Sequence, residues 1–216
     1  MSRMNQFKAV IFDLDGVITD TAQYHYLAWK ALAESEGVHF DHAFNENLKG
    51  VDRMGSLNLI LAGSNKTYSM DEKLALAERK NRQYVELIAT MSQADLLPGA
   101  IEALASVRAA GLKIGLASVS KNAFTVLDRL GIRDRFDYVV DAALIANSKP
   151  HPEIFLNAAA ALGVAPEDCL GVEDAVAGVA SIKSAGMVAL GVGSPDVLTQ
   201  ADRVIPSLSE FRLNDY

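Results

Sequence analysis

The sequence predicts an α/β protein, a doubly wound parallel sheet into which a small α-helical domain is inserted. Three observations carry this expectation. The apolar run Ala9-Val10-Ile11-Phe12 ends in two acids and a glycine, Asp13-Leu14-Asp15-Gly16. From residue 96 onward, apolar strands alternate with helices closed by glycines. Between these regions, residues 19–93 carry long helical patterns with polar faces and no convincing strand. Strands separated by helices of roughly 10–12 residues imply parallel βαβ units with right-handed crossovers.

In order, Ala9 to Phe12 reads as a first buried strand. Helical patterns follow over Ala22 to Glu36, Asp52 to Leu61 and Asp71 to Met91, the last opened by a capping box of Ser69 with Glu72. Pro98-Gly99 opens a helix through Arg108, and Gly111 ends it. Leu112 to Ala117 is a strand, Lys121 to Leu130 a helix stopped by Gly131, and Phe136 to Val140 a short strand. Pro152 starts an alanine-rich helix that Gly163 closes. Cys169 to Val172 is a strand, Ala175 to Ala185 a helix closed by Gly186, and Met187 to Val192 with Val204-Ile205 complete the strands. The expected division is a core of residues 1–18 and 94–216 and a helical cap of residues 19–93. The linkers fall near Thr19-Asp20-Thr21 and near Ser92 to Asp95.

Composition narrows the function classes. Of 216 residues, 50% are hydrophobic, enough for a good core in one large domain or two smaller ones. A net charge of -7 with no basic tract leaves no electrostatic footprint for nucleic acid. The single cysteine, Cys169, excludes an intramolecular disulfide framework and fits a reducing compartment. No run of about 18 apolar residues exists to span a membrane. Asp13 and Asp15 interrupt the one apolar run near the N-terminus, so no signal peptide is expected. The expectation is a cytoplasmic protein that engages neither nucleic acid nor membrane. With no coiled-coil seam, it is expected to be a monomer.

The chemistry-bearing residues fall at strand ends. Residues two apart in a strand share a face, so Asp13 and Asp15 are presented together where open α/β sheets bind their ligands. The alternative is that two acids in a loop cap a turn. Ser118-Val119-Ser120-Lys121-Asn122 places hydroxyls, amides and a helix N-terminus after the next strand, an anion site or an ordinary helix cap. Lys149, beside Pro150, offers a fixed point charge for phosphate or a solvated surface lysine. Glu173-Asp174 offers oxygen ligands for Mg²⁺ or an N-cap for the helix at Ala175. A nucleophile, a metal site, a lysine and a hydroxyl–amide cradle on one sheet edge make up the set that phosphoryl transfer requires.

These residues resemble a known family. Asp13-Leu14-Asp15-Gly16-Val17, Ser118, Lys149 and Glu173-Asp174 match in order the four motifs of the haloacid dehalogenase superfamily of phosphotransferases. Further matches, to its sugar-phosphate mutases, are Phe12 to Thr21, Tyr24-His25, Ala28 to Leu32, Leu48 to Val51 with Arg53 and Ser56, Arg79-Lys80-Asn81, and Leu116 to Ser118 with Ser120 to Asn122. Val119 stands where a smaller residue is usual, and Asp52 and Met54-Gly55 lie outside the pattern.

The resemblance implies interconversion of β-D-glucose 1-phosphate and D-glucose 6-phosphate through an aspartyl phosphate and β-glucose 1,6-bisphosphate. It makes Asp13 the nucleophile, Asp15 the general acid and base, and Lys149 and Ser118 the groups that bind the transferring phosphoryl. Mg²⁺ would be held by Asp13, the Asp15 backbone carbonyl and Asp174, with Glu173 binding directly or through water. The substrate contacts it implies are Arg53, Ser120, Lys121 and Asn122 at a second phosphate, Lys80 and Lys49-Gly50-Val51 at sugar hydroxyls, with Ser56 and Val119 alongside. His25, one turn into the first cap helix and close to the hinge, is expected to couple closure to the placing of Asp15 or else simply to pack at the domain junction. Trp29, one turn on, shares its helix face as a buried anchor. A sugar-phosphate or phosphoglycolate-type phosphatase needs the same core motifs and remains the alternative. A catalytically silent sugar-phosphate binder finds no support, since Asp13, Asp15, Lys149 and Asp174 are all present.

Overall fold

Six strands build the sheet: β1 (Ala9–Phe12), β2 (Lys113–Leu116), β3 (Tyr138–Val139), β4 (Cys169–Glu173), β5 (Val188–Val192) and β6 (Arg203–Ile205). They run parallel in the order β3-β2-β1-β4-β5-β6. These coordinates are a computed structural model that describes residues 7–48 and 51–216. The chain divides into two units, one from residues up to Asp20 and from Met91 to Tyr216, the other from Thr21 to Thr90. Thr19 stays with the sheet unit because it bridges to Asp15 and to Leu96 and its hydroxyl donates to the Asp95 carbonyl at 2.6 Å. The division therefore falls two to three residues into the expected insertion at each end.

The sheet unit is doubly wound. α5 (Ala100–Ala109), α6 (Ala123–Leu130), α7 (Glu153–Leu162) and α8 (Val176–Ser184) alternate with the strands. β1 is buried along its whole length, so it reads as a continuous apolar run rather than an alternating one. Its residues still divide by face. Ala9 and Ile11 join Cys169 and Ala189 against Ile154, Phe155 and Ala158 of α7 and Val179 and Ile182 of α8. Phe12 points to the other side, where its ring lies 6.3 Å from that of Phe211. β3 is shorter than the apolar run around it because it is an edge strand with two register pairs, Tyr138 with Gly115 and Val139 with Leu116.

The register fixes the site. Phe12 is the last residue of β1, paired with Leu116 of β2 on one side and Val172 of β4 on the other. The residues that follow these three partners, Asp13, Ala117 and Glu173, stand side by side at one end of the strands.

The helical unit contains α1 (Ala22–Ser35), the short α2 (His42–Glu46), α3 (Arg53–Leu61) and α4 (Met70–Ile88). Its own core includes Tyr26, Trp29, Leu32, Phe40, Leu57, Ile60 and Ala77. The Ser69–Glu72 capping box forms as expected and starts α4. α2 is a single turn that apolar periodicity cannot reveal; Asp41 caps it, accepting from the Phe44 amide at 2.8 Å.

Candidate active site

Asp13 leaves β1 with its amide bound to the Val172 carbonyl at 2.9 Å, so its carboxylate emerges beside the end of β4. A turn follows, closed by the Gly16 amide on the Thr19 carbonyl at 2.7 Å. Gly16 sits at φ 76°, a left-handed conformation that glycine adopts without strain. A Cβ at Gly16 would collide with the Asp174 carboxylate. The glycine of the first motif therefore makes room for the acid of the last.

Lys149 ties the edge together. Its side chain is 6% exposed, and its ammonium donates to Asp13 Oδ1 at 3.0 Å and to Glu173 Oε1 at 2.7 Å. Burial works against the lysine charge, but Asp13 and Glu173 outweigh it and raise the pKa above lysine's ordinary value. Glu173 Oε2 accepts from the Ala175 amide at 2.8 Å, just before α8, so this carboxylate is fixed at the strand end and orients the lysine; it does not cap the helix. The backbone of α8 packs against it so closely that a Cβ at Gly178 would overlap Glu173.

Asp13, Glu173 and Asp174 each offer a carboxylate oxygen, and these oxygens lie within 4.8 Å of one another. Burial pushes the Asp13 carboxyl well above the usual carboxylate range; Lys149 opposes the rise, while Glu173, Asp15 and Asp174 add to it. Asp174 stands at the rim, where loss of solvation and the charges of Glu173 and Asp15 bring its pKa to about 7. Three carboxylates against one ammonium leave an excess of two negative charges. A divalent cation with oxygen ligands fits that donor set and would remove the tendency to hold protons instead.

Ser118 lies beyond the end of β2, buried, and its hydroxyl accepts from the Ser120 amide at 3.2 Å. Ser120 in turn accepts from the Asn122 amide at 3.2 Å, and Asn122 precedes the first turn of α6. Ser118 thus shapes the turn at the strand end by accepting from the Ser120 amide; it does not cap the helix. Val119 and Lys121 are exposed in the same loop.

The helical unit gathers a second cluster. Lys80 donates to His25 Nδ1 at 2.8 Å and lies 4.4 Å from the Trp29 ring centre. His25 is held well below its ordinary pKa by burial and by the charges of Lys80 and Arg53, so its ring is neutral and Nδ1 accepts. Burial and Arg53 bring Lys80 down to about 7. Arg53 occupies the first turn of α3 and donates to Asn81 Oδ1 at 3.0 Å. Asp52 is explained by the same helix start: its carboxylate accepts from the amides of Met54 and Gly55 at 2.9 and 3.0 Å. A side chain at Gly55 would press on Val51 and Asp52. Ser56 is buried, its hydroxyl directed 3.5 Å from the Val51 carbonyl, and Val51 is exposed. Lys49 and Gly50 lie outside the described residues.

Asn81 falls in the matched stretch Arg79-Lys80-Asn81, but the sequence gives it no role. Gly178, five residues past Glu173, and Tyr84 are not singled out by the sequence. Tyr84 is one helical turn beyond Lys80, and that i,i+4 relation is its only sequence signal.

The sheet order, the acid cluster and its lysine define a class of phosphoryl-transfer protein, and the comparisons agree. The haloacid dehalogenase-like hydrolase family profile matches residues 7–186. A β-phosphoglucomutase from Bacillus subtilis is 50% identical over 208 residues, covering 95% of this chain and 92% of that one. The crystal structure of a β-phosphoglucomutase from Clostridium difficile superposes with a TM-score of 0.92 at 48% identity, covering 95% and 93% of the two chains. A phosphorylated carbohydrates phosphatase from Thermotoga maritima is 33% identical over 183 residues, covering 83% and 82%. The chain belongs to the haloacid dehalogenase-like hydrolase family, in its β-phosphoglucomutase branch.

Proposed function

We infer that the protein is an isomerase that moves a phosphoryl group between C1 and C6 of glucose, interconverting β-D-glucose 1-phosphate and D-glucose 6-phosphate. The high identity to β-phosphoglucomutases along nearly the whole chain supports this reading. The observation that carries the chemistry is the buried Asp13–Lys149–Glu173 relay beside Asp174.

Asp13 is the nucleophile. Lys149 fixes the rotation of its carboxylate and supplies positive charge beside the transferring group. The Asp13 phosphate passes to the 6-hydroxyl of β-glucose 1-phosphate: an O–P bond to Asp13 breaks and one to O6 forms. Asp15 takes the hydroxyl proton. The resulting β-glucose 1,6-bisphosphate returns with its other end forward. Asp13 now accepts the 1-phosphoryl, and Asp15 delivers its proton to the departing O1, giving glucose 6-phosphate. Ser118 and the amides of the turn it shapes bind phosphoryl oxygens.

Asp13, Asp174 and Glu173, with the Asp15 carbonyl, would hold Mg²⁺, which when bound neutralises phosphoryl oxygens and keeps the carboxylates ionised. Because the sugar must present either end, a second phosphate grip is required. Arg53, braced by Asn81, suits that grip, as a guanidinium binds phosphate with two parallel hydrogen bonds. In the sheet unit, Ser120, Lys121 and Asn122 are the donors that would meet a phosphate, while in the helical unit Lys80 and the segment from Lys49 to Val51 would meet the sugar.

The alternative is hydrolysis, with water attacking the same aspartyl phosphate, the outcome named for the Thermotoga maritima relative. The test supplies β-glucose 1-phosphate, Mg²⁺ and a trace of bisphosphate, and follows glucose 6-phosphate and inorganic phosphate together. Glucose 6-phosphate in large excess over inorganic phosphate is expected. Inorganic phosphate as the main product would make the protein a phosphatase.

A further inference from the structure

The Lys80 cluster contains a residue that the sequence motifs do not reach. α1 and α4 each contribute one pair spaced by a helical turn, His25 with Trp29 and Lys80 with Tyr84. Tyr84 is fully buried. Its ring stacks on His25 with centres 4.0 Å apart and planes inclined by 16°. The Lys80 ammonium lies 5.0 Å from the Tyr84 ring centre and 4.4 Å from that of Trp29.

The surroundings of this ammonium are unusual for a buried lysine. From α1 it meets the neutral imidazole of His25, and from α3 the like charge of Arg53. On its own helix it meets Tyr84. Among the described residues, no carboxylate lies within ion-pair distance of it. Buried charges are ordinarily paired with an opposite charge. Here two aromatic faces and one imidazole nitrogen stand in for the counter-ion, which leaves the cation suited to an anionic oxygen from outside the protein.

We propose that Tyr84 is a positioning residue of the substrate grip: its ring fixes the plane of His25 and, with Trp29, holds the Lys80 ammonium ready for the sugar phosphate. The inference rests on the reading that the helical unit grips that substrate. The π face is the operative part of Tyr84, because both His25 and Lys80 meet the ring. The stack keeps Nδ1 aimed at Lys80, and the ring's negative face favours the charged form of the amine.

The test compares Tyr84→Phe, which keeps the ring, with Tyr84→Leu, which keeps apolar bulk and removes it. Three quantities are measured on the full chain. The Lys80 titration is followed by NMR of ¹³C-labelled lysine, its signal identified by its loss in Lys80→Met. KM and kcat are measured with β-glucose 1-phosphate, and phosphorylation of Asp13 with acetyl phosphate. Tyr84→Phe is expected to match the wild type within about twofold throughout. Tyr84→Leu is expected to move the Lys80 midpoint to lower pH by about one unit. It should also raise KM about tenfold, with kcat changed less than about threefold and acetyl phosphate labelling unchanged.

The idea is overturned if Tyr84→Leu leaves the midpoint or KM unchanged, or if Tyr84→Phe loses as much as Tyr84→Leu. A parallel fall in acetyl phosphate labelling overturns it too, since that would be a defect of the whole fold. Should the wild type make no glucose 6-phosphate, the functional reading fails, and the lysine titration still decides whether Tyr84 holds the ammonium.

Discussion

Lys149 and Asp13 stand 136 positions apart in the chain, and their side chains meet at 3.0 Å. The contact is buried, with Glu173 on the far side of the ammonium at 2.7 Å. A carboxylate held this way has one rotation and a permanent cation beside it, the preorganisation that phosphoryl transfer relies on.

Asp13→Asn should therefore abolish turnover while leaving the fold in place, since the amide is nearly isosteric, still accepts from Lys149 and is a poor nucleophile. Mutase assays and circular dichroism check the two halves. Substantial residual turnover in a preparation free of contaminating enzyme would remove Asp13 from the covalent role.

EDTA should remove activity and Mg²⁺ restore it. Gly16→Ala should raise the Mg²⁺ concentration needed for half-maximal activity at least about tenfold, because its Cβ would displace the Asp174 carboxylate. The left-handed backbone at this position adds about 1–2 kcal/mol of strain. Calorimetric Mg²⁺ titration of the variant decides the matter, and an unchanged affinity would take Asp174 out of the metal site.

Arg53→Ala should cut mutase turnover by at least about 100-fold, equivalent to about 2.7 kcal/mol of transition-state stabilisation. Phosphorylation of Asp13 by acetyl phosphate and slow hydrolysis of the phosphoenzyme should persist, because water needs no grip on a far phosphate. Equal losses in all three rates would instead place Arg53 in support of the fold.

Burial first, and then the Arg53 charge, lower Lys80 to about 7. Below that pH the amine is an ammonium, which on the proposed reading would attract the anionic substrate; above it the charge is lost. The profile of kcat/KM for β-glucose 1-phosphate should accordingly fall above pH 7, by up to tenfold per unit. Lys80→Met should lower kcat/KM and flatten this limb. A limb that survives the substitution belongs to another group.

The sequence disclosed what is local. Asp13, Asp15 and Gly16 are neighbours in the chain, and a strand followed by Asp-x-Asp-Gly announces its own chemistry. The capping box at Ser69 and Glu72 is equally local, and it formed where it was read. Relations across the chain were hidden. Nothing in the residues around 149 indicates that one ammonium bonds both Asp13 and Glu173, because that depends on β1 lying between β2 and β4. Glu173 looked like a metal ligand or a helix cap. In the structure one of its oxygens accepts from the Ala175 amide ahead of α8 and the other from Lys149, and it caps no helix, a division of labour no spacing encodes. Asp52 shows the opposite case: it lies outside the family's pattern, yet its position before α3 is a plain N-cap. Tyr84 escaped because a tyrosine on an amphipathic helix reads as core, which it also is.

The backbone around Thr19 carries a consequence of another kind. Its hydroxyl reaches the Asp95 carbonyl at 2.6 Å, and it bridges to Leu96, so the chain leaves the sheet unit and rejoins it at a single point. Closing a chain segment between fixed ends costs only about 0.6 kcal/mol more for each doubling of its length. The helical unit should therefore tolerate exchange as one piece, which deletion of the segment tests. Removing residues 21–90 and bridging the gap with a short glycine–serine loop need not disturb the register of the six strands. Different helical inserts could be grafted at the same stem, giving one phosphoryl-transfer engine a change of substrate without redesigning its acids and lysine.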